Sequence, residues 1–218
     1  MLYWRDRSLM RVPARTLTCS DLRRISIVSS LSKFTGSKMS EESFHERLIA
    51  ARARTYDPSD PAQEDAWCRE VVLRGAFEEG TPDIVRYWDL VDAIDGTESQ
   101  LVFFALLDSM RFEDDSGQYE ATYNALWNFP PEKFGPWMVA ALPSRLINKK
   151  FEGHAGSILC GLINERNKAD LEWFNNALAH TDEPSRVVIM AFIESNESHG
   201  WFEDGKGKIR PNAIDVHQ

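Results

Sequence analysis

Residues 123–142 read YNALWNFPPEKFGPWMVAAL, and residues 159–178 read LCGLINERNKADLEWFNNAL. Set above one another at an offset of 36 residues, they match at Leu126 and Leu162, Asn128 and Asn164, Trp137 and Trp173, Ala141 and Ala177, and Leu142 and Leu178. Just upstream, Gly117 falls on Gly153. A fainter earlier copy sets Tyr87 on Tyr123, Leu90 on Leu126, Ala105 on Ala141 and Leu106 on Leu142. The shared positions are mostly apolar or small and stand at helical spacing: Trp137 and Ala141 are i and i+4, on one helix face. A repeat of this length is the mark of stacked helix pairs, since each pair needs a neighbour to bury its apolar side.

Outward from that stretch, the helix punctuation is regular. Ser40 caps a first helix carrying Phe44, Leu48 and Ile49. Asp60-Pro61 starts the next, with Trp67, Val71, Leu73 and Phe77, up to Gly80. Thr81-Pro82-Asp83 starts a third, which Asp95-Gly96 is expected to close. Thr97-Glu98 opens a strongly apolar helix from Leu101 to Met110, the expected centre of the domain. Tyr119 to Trp127 follows. Pro136 and Pro143 forbid one regular helix after Pro131, so a turn is expected before Pro136 and a new start after Pro143. Phe151–Glu165 and Lys168–His180 make the last hairpin, and Asp182-Glu183-Pro184 starts a final helix. No strand alternation is sustained. The expected fold is an all-α helical-hairpin stack, a HEAT-like α-solenoid of roughly nine helices. It spans residues 39–202, and residues 203–218 form a flexible tail from about Gly205 on.

The 218 residues suit one domain, and 43% apolar content can fill its core. No apolar run is long enough for a membrane span, so no membrane partner is expected. Cys19, Cys68 and Cys160 are too scattered for a disulfide framework or a metal cluster, which points to a reducing cytoplasm and no metal. The net charge of −9 conceals an asymmetry. Residues 1–38 hold eight basic and two acidic residues, +6, and the remainder 17 basic and 32 acidic, −15. The basic segment reads as a disordered arm, a transit peptide, or codons upstream of a true start at Met39, the favoured reading. The acidic body disfavours direct nucleic-acid binding and favours basic partners.

Acids gather at connections: Asp92 and Asp95 with Asp89 and Glu98, then Glu113, Asp114 and Asp115 with Glu120. Glu98 and Glu120 complement helix N-termini, but Asp92 and Asp95 stand near a helix C-terminus, where negative charge is unfavourable. Charge placed against local preference suggests a binding role. Stacking of the units would set both groups on one rim. Trp137 and Trp173, at equivalent repeat positions, read as core. Trp88 and Trp127 stand beside polar residues at helix ends and are candidate contact residues. Gly153 and Gly156 read as a helix start that permits close packing, not a phosphate loop. The histidines are isolated and no nucleophile elbow is present, so no catalytic residue, enzyme activity or cofactor is expected.

Residues 101–180 carry a particular order: an apolar helix ending Met110-Arg111-Phe112-Glu113, then Tyr119 with Tyr123-Asn124-Ala125-Leu126, then Pro131, Pro136-Trp137 and Leu146-Ile147-Asn148. That order resembles the small all-helical immunity proteins of bacterial polymorphic-toxin and contact-dependent inhibition systems, nearest the family called immunity protein thirty. The resemblance covers about a third of the chain and implies a cytoplasmic protein that binds and neutralises a cognate toxin domain, often a nuclease. The expectation is therefore a toxin-neutralising protein that meets a basic toxin domain through Asp92, Asp95, Glu113, Asp114 and Asp115, with Trp88 and Trp127 beside them. The alternatives are a helical-repeat scaffold for other proteins and, third, a helical-repeat enzyme acting on nucleic acid.

Overall fold

Helix starts sit where the capping residues place them. The Asp60 carboxylate accepts the Ala62 amide at 2.9 Å, Ser99 Oγ accepts that of Leu101 at 3.1 Å, and Asp182 accepts that of Ser185 at 2.9 Å. Each such cap contributes about 1 kcal/mol. The computed structural model describes residues 56–76, 82–111, 119–147, 149–164, 168–202 and 205–211. The expectations for residues 1–38, for a start at Met39, for the helix after Ser40 and for Phe77 lie outside them. The helices are α1 (Pro61–Arg74), α2 (Pro82–Val91), α3 (Gln100–Ser109), α4 (Glu120–Leu126), α5 (Pro131–Leu146), α6 (Lys149–Asn164), α7 (Lys168–His180) and α8 (Glu183–Ser198). Among the described residues there is no strand.

The odd-numbered helices are each other's neighbours. They form a row, α1 on α3, α3 on α5 and α5 on α7, the last being the most extensive contact. The even helices lie against this row, α2 on α1, α4 on α3, α6 on α5 and α7, and α8 on α5. The 36-residue offset is visible as a line of core leucines down the row: Leu106, Leu142 and Leu178 are all fully buried, as are Leu126 and Leu162 in the even helices. Phe103 of α3 is the aromatic centre, edge-on to Phe129, Phe134 and Trp137 at centroid distances of 5.2, 5.9 and 5.7 Å. Such pairs add about 0.5–1.5 kcal/mol each beyond area burial.

Several expectations are corrected. Residues 131–146 form one continuous helix with Pro136 and Pro143 inside it. The two rings lack the N–H groups that the Glu132 and Val139 carbonyls would otherwise accept, a cost of roughly 3 kcal/mol each. Against this, α5 buries Phe134, Met138, Val139 and Leu142, at about 1.5–3 kcal/mol per side chain. Packing outweighs propensity, and the prolines, seven residues apart, share one half-buried face. Trp173 is 42% exposed, unlike its repeat-mate Trp137. A Cβ on Gly135 would lie 2.7 Å from the Phe174 amide nitrogen. It is therefore the backbone of α7 that rests on α5 there, which carries the Trp173 ring to the margin.

Gly153 and Gly156 lie inside α6, not at its start. Helix α2 ends at Val91, before Asp95-Gly96. Residues 205–211 do not fray. Phe202 and Ile209 are in the core, Asn175 donates to the Lys208 carbonyl at 2.9 Å and accepts the Arg210 amide at 3.0 Å, and Arg210 forks onto Glu197 at 3.0 and 2.6 Å.

Candidate functional site

The α2–α3 connection, residues 92–99, presents Asp92 and Asp95 at the surface. Its backbone is fixed from within. Glu98 is 2% exposed, and its carboxylate accepts the amides of Asp95 at 3.0 Å and Gly96 at 2.8 Å. Glu98 is thus a loop clasp and not the dipole complement that its position before α3 suggests. Gly96 has φ +95°, and a Cβ there would meet the Asn128 carbonyl oxygen at 2.1 Å, so glycine is required on both counts. The Lys133 ammonium, one turn into α5, donates to the carbonyls of Gly96, Thr97 and Glu98 at 3.2, 2.8 and 3.1 Å. Ser99 Oγ donates to Glu64 of α1 at 2.6 Å.

Asp95 Oδ1 accepts from the Thr97 hydroxyl at 2.7 Å and from the Thr97 amide at 2.9 Å. These bonds, hydroxyl first, with the Lys133 charge nearby, hold its carboxyl below the usual aspartate range. Asp95 is therefore anionic at any physiological pH.

The α4–α5 turn packs along this connection. Asn128 Nδ2 donates to the Ile94 carbonyl at 2.8 Å, so the loop of Asp92 and Asp95 and the turn of Trp127 form one edge. Trp88, one helical turn before Asp92, and Trp127 are both half-buried against the core. The Trp127 ring packs on Phe134 at 4.9 Å and lies 2.8 Å from where a Cβ on Gly161 would stand. Both rings are thus anchored inward and offer only part of their surface. Glu113, Asp114 and Asp115 lie outside the described residues. Their described flanks, Arg111 and Tyr119, meet at the C-terminal end of α3, where the Tyr119 hydroxyl accepts the Arg111 amide at 3.0 Å and donates to the Gly75 carbonyl at 2.7 Å. That end is about 15 Å along α3 from Ser99.

Several buried polar groups inside the stack pair with one another. Tyr87 Oη bonds Ser109 Oγ at 2.7 Å and Thr122 Oγ1 at 2.5 Å. His154 Nδ1 pairs with Tyr123 Oη at 2.7 Å. Arg86, 4% exposed, forks onto Glu70 at 2.9 and 3.1 Å. Among the described residues no group of three or more His, Cys, Asp or Glu side chains could hold a metal ion, and no helix is long and apolar enough to cross a membrane. The fold and this edge define an all-helical stack with an acidic, rigid connection at its surface. Comparison with protein-family models, curated proteins and solved structures finds no match.

Proposed function

We propose that this chain is a toxin-neutralising immunity protein of the HEAT-like α-solenoid kind. In this reading it acts in the cytoplasm without catalysis and binds a basic toxin domain through the edge of Asp92 and Asp95, with Trp88 and Trp127 beside them; Glu113, Asp114 and Asp115, outside the described residues, belong to the same proposed binding set. The observation that carries the reading is the α2–α3 connection. Two exposed carboxylates sit on a backbone held by Glu98, Lys133 and Asn128. Fixed charge of this kind steers a cationic partner without an ordering cost on binding. The net charge of −9 acts in the same direction over longer range.

The experiment is protection from a co-expressed toxin encoded beside the gene, together with association kinetics across salt. Asp92→Asn with Asp95→Asn removes both charges, and the side-chain amide oxygen introduced in place of the Asp95 carboxylate can keep the bonds from Thr97. The expected result is slower association, a flatter salt dependence and an unchanged Tm. Unaltered kinetics and full protection would remove this edge from the interface. Absence of any toxin partner would leave the scaffold reading in its place.

A further inference from the structure

Residues 205–211 sit in a seat on α7 and α8 whose groups recognise one short pattern. Asn175 of α7, itself buried, brackets Ile209: its amide group donates to the Lys208 carbonyl at 2.9 Å and accepts the Arg210 amide at 3.0 Å. Both bonds go to main chain, so they fix a backbone without choosing its side chains. The choice is made by two consecutive side chains. Ile209 is 1% exposed, and the Arg210 guanidinium meets the two oxygens of Glu197 at 3.0 and 2.6 Å. Glu194, three residues earlier on α8, adds its charge to the field on that guanidinium. Main-chain bonds for affinity, with a socket and a charged fork for specificity, are the division of labour of a peptide-binding site.

The present occupant is suited to being replaced. Among residues 205–211, Ile209 is the one side chain in the core. The segment opens with a turn, the Lys208 amide on the Gly205 carbonyl at 2.9 Å, in which Gly207 has φ +81°. Its two glycines lose more conformational freedom on ordering than any other residue would, and a unit with so few apolar contacts opens ahead of the body. The groups that read Ile209 and Arg210 make no use of the turn, apart from the Gly207 amide on Glu197 at 2.8 Å. A segment of another protein can therefore satisfy Asn175 and Glu197 without copying it. A second copy of this chain gains no contact by exchange, since its own segment is already seated at high effective concentration. We infer that the Asn175–Glu197 seat binds a basic segment of a partner protein in which an aliphatic residue precedes Arg, and that residues 207–210 fill it in cis until displaced.

This inference concerns a surface other than that of Asp92 and Asp95 and stands without the toxin reading. The probe is a fluorescent, end-blocked peptide Lys-Gly-Lys-Ile-Arg-Pro, the sequence of residues 206–211, titrated onto the full chain by anisotropy. Ile209→Asp removes the aliphatic anchor of the cis segment and opens the seat; Arg210→Ala removes the fork and keeps Ile209. Both opened chains are expected to bind the peptide, at least about tenfold more tightly than the unaltered chain, where the cis segment competes. Peptides with Asp in place of Ile, or Gln in place of Arg, should bind about tenfold more weakly. Asn175→Ala or Glu197→Gln, added to Ile209→Asp, should each cost about tenfold as well. On the unaltered chain, millimolar peptide should quicken amide exchange at Gly207 and Arg210 by displacing the segment, a readout that needs no variant to fold. Unchanged exchange there, failure of both opened chains to bind while their helical circular dichroism is intact, or equal binding of the peptide that lacks Ile would overturn the proposal. So would a dimer in sedimentation that Ile209→Asp turns into monomer, because the occupant would then come from a second copy.

Discussion

At the scale of single residues, polar groups in this protein mostly hold backbone in place. The position of Glu98 suggests a helix-dipole complement, but its carboxylate closes a loop; Lys133, which nothing in the sequence singles out, binds three consecutive carbonyls of that loop. The Lys133 role is not legible in sequence, because it depends on elements more than 30 residues apart meeting in space; that of Glu98 is local, on amides two and three residues before it. Asp92 and Asp95 are legible, since charge near a helix C-terminus stands out against local preference. Cys68 provides a prediction at this scale. Burial, and then the neighbouring Glu64 and Asp65, push its thiol from 9.0 up to about 11. At pH 8 that leaves roughly a hundredfold less thiolate than an unshifted cysteine has. Peptide mapping after brief alkylation at pH 8 should find Cys68 largely unmodified, and rapid labelling would show that partial burial and the two carboxylates do not raise its thiol.

At the scale of elements, helix starts are readable and helix continuity is not. Asp60, Pro61, Pro82, Asp182 and Pro184 mark their boundaries because a cap is a local hydrogen bond. The prolines of α5 mislead for the complementary reason: their cost is local, whereas the burial that outweighs it comes from α3 and α7. The same distinction explains Trp137 and Trp173, identical in repeat register but different in burial, since register does not record which side chain a neighbouring backbone displaces. Pro143→Ala is expected to restore the N–H that the Val139 carbonyl lacks and to raise stability by about 1–3 kcal/mol, read as a shift in urea midpoint at constant slope. A loss would mean that the proline ring contributes packing worth more than the hydrogen bond.

Over the whole molecule, the 36-residue pattern points correctly to the all-helical stack because its matched leucines line one core. It carries no sign of the docked segment 205–211, whose composition of Gly, Lys and Arg resembles a tail. What holds that segment is not periodic: Ile209 in the core, two bonds to Asn175, and the Glu197–Arg210 fork. The Arg210 bond, ahead of the contribution from the Gly207 amide, holds the Glu197 carboxyl below its ordinary value of 4.5. A carboxyl that is more acidic in the folded chain than in the unfolded one stabilises fully above that ordinary value, and the contribution is lost as pH falls through the lowered one. Amide exchange at Gly207 and Arg210 should therefore quicken selectively as pH drops below about 4.5, after correction for intrinsic rates. Glu197→Gln should exchange faster at neutral pH as well. Equal protection of the variant would assign the docking to Ile209 and Asn175 alone.

Helix α5 touches α3, α6, α7 and α8 and carries two prolines that disfavour it in isolation. Arrays of similar repeats can melt from their ends, because each unit is nearly self-sufficient and interacts with the next alone. Here the middle unit cannot stand without the units on both sides of it. Removing α7 and α8 would not leave a shorter stack but would withdraw the burial that keeps α5 helical. The chain should accordingly unfold in one cooperative step, with fluorescence and circular dichroism transitions that coincide.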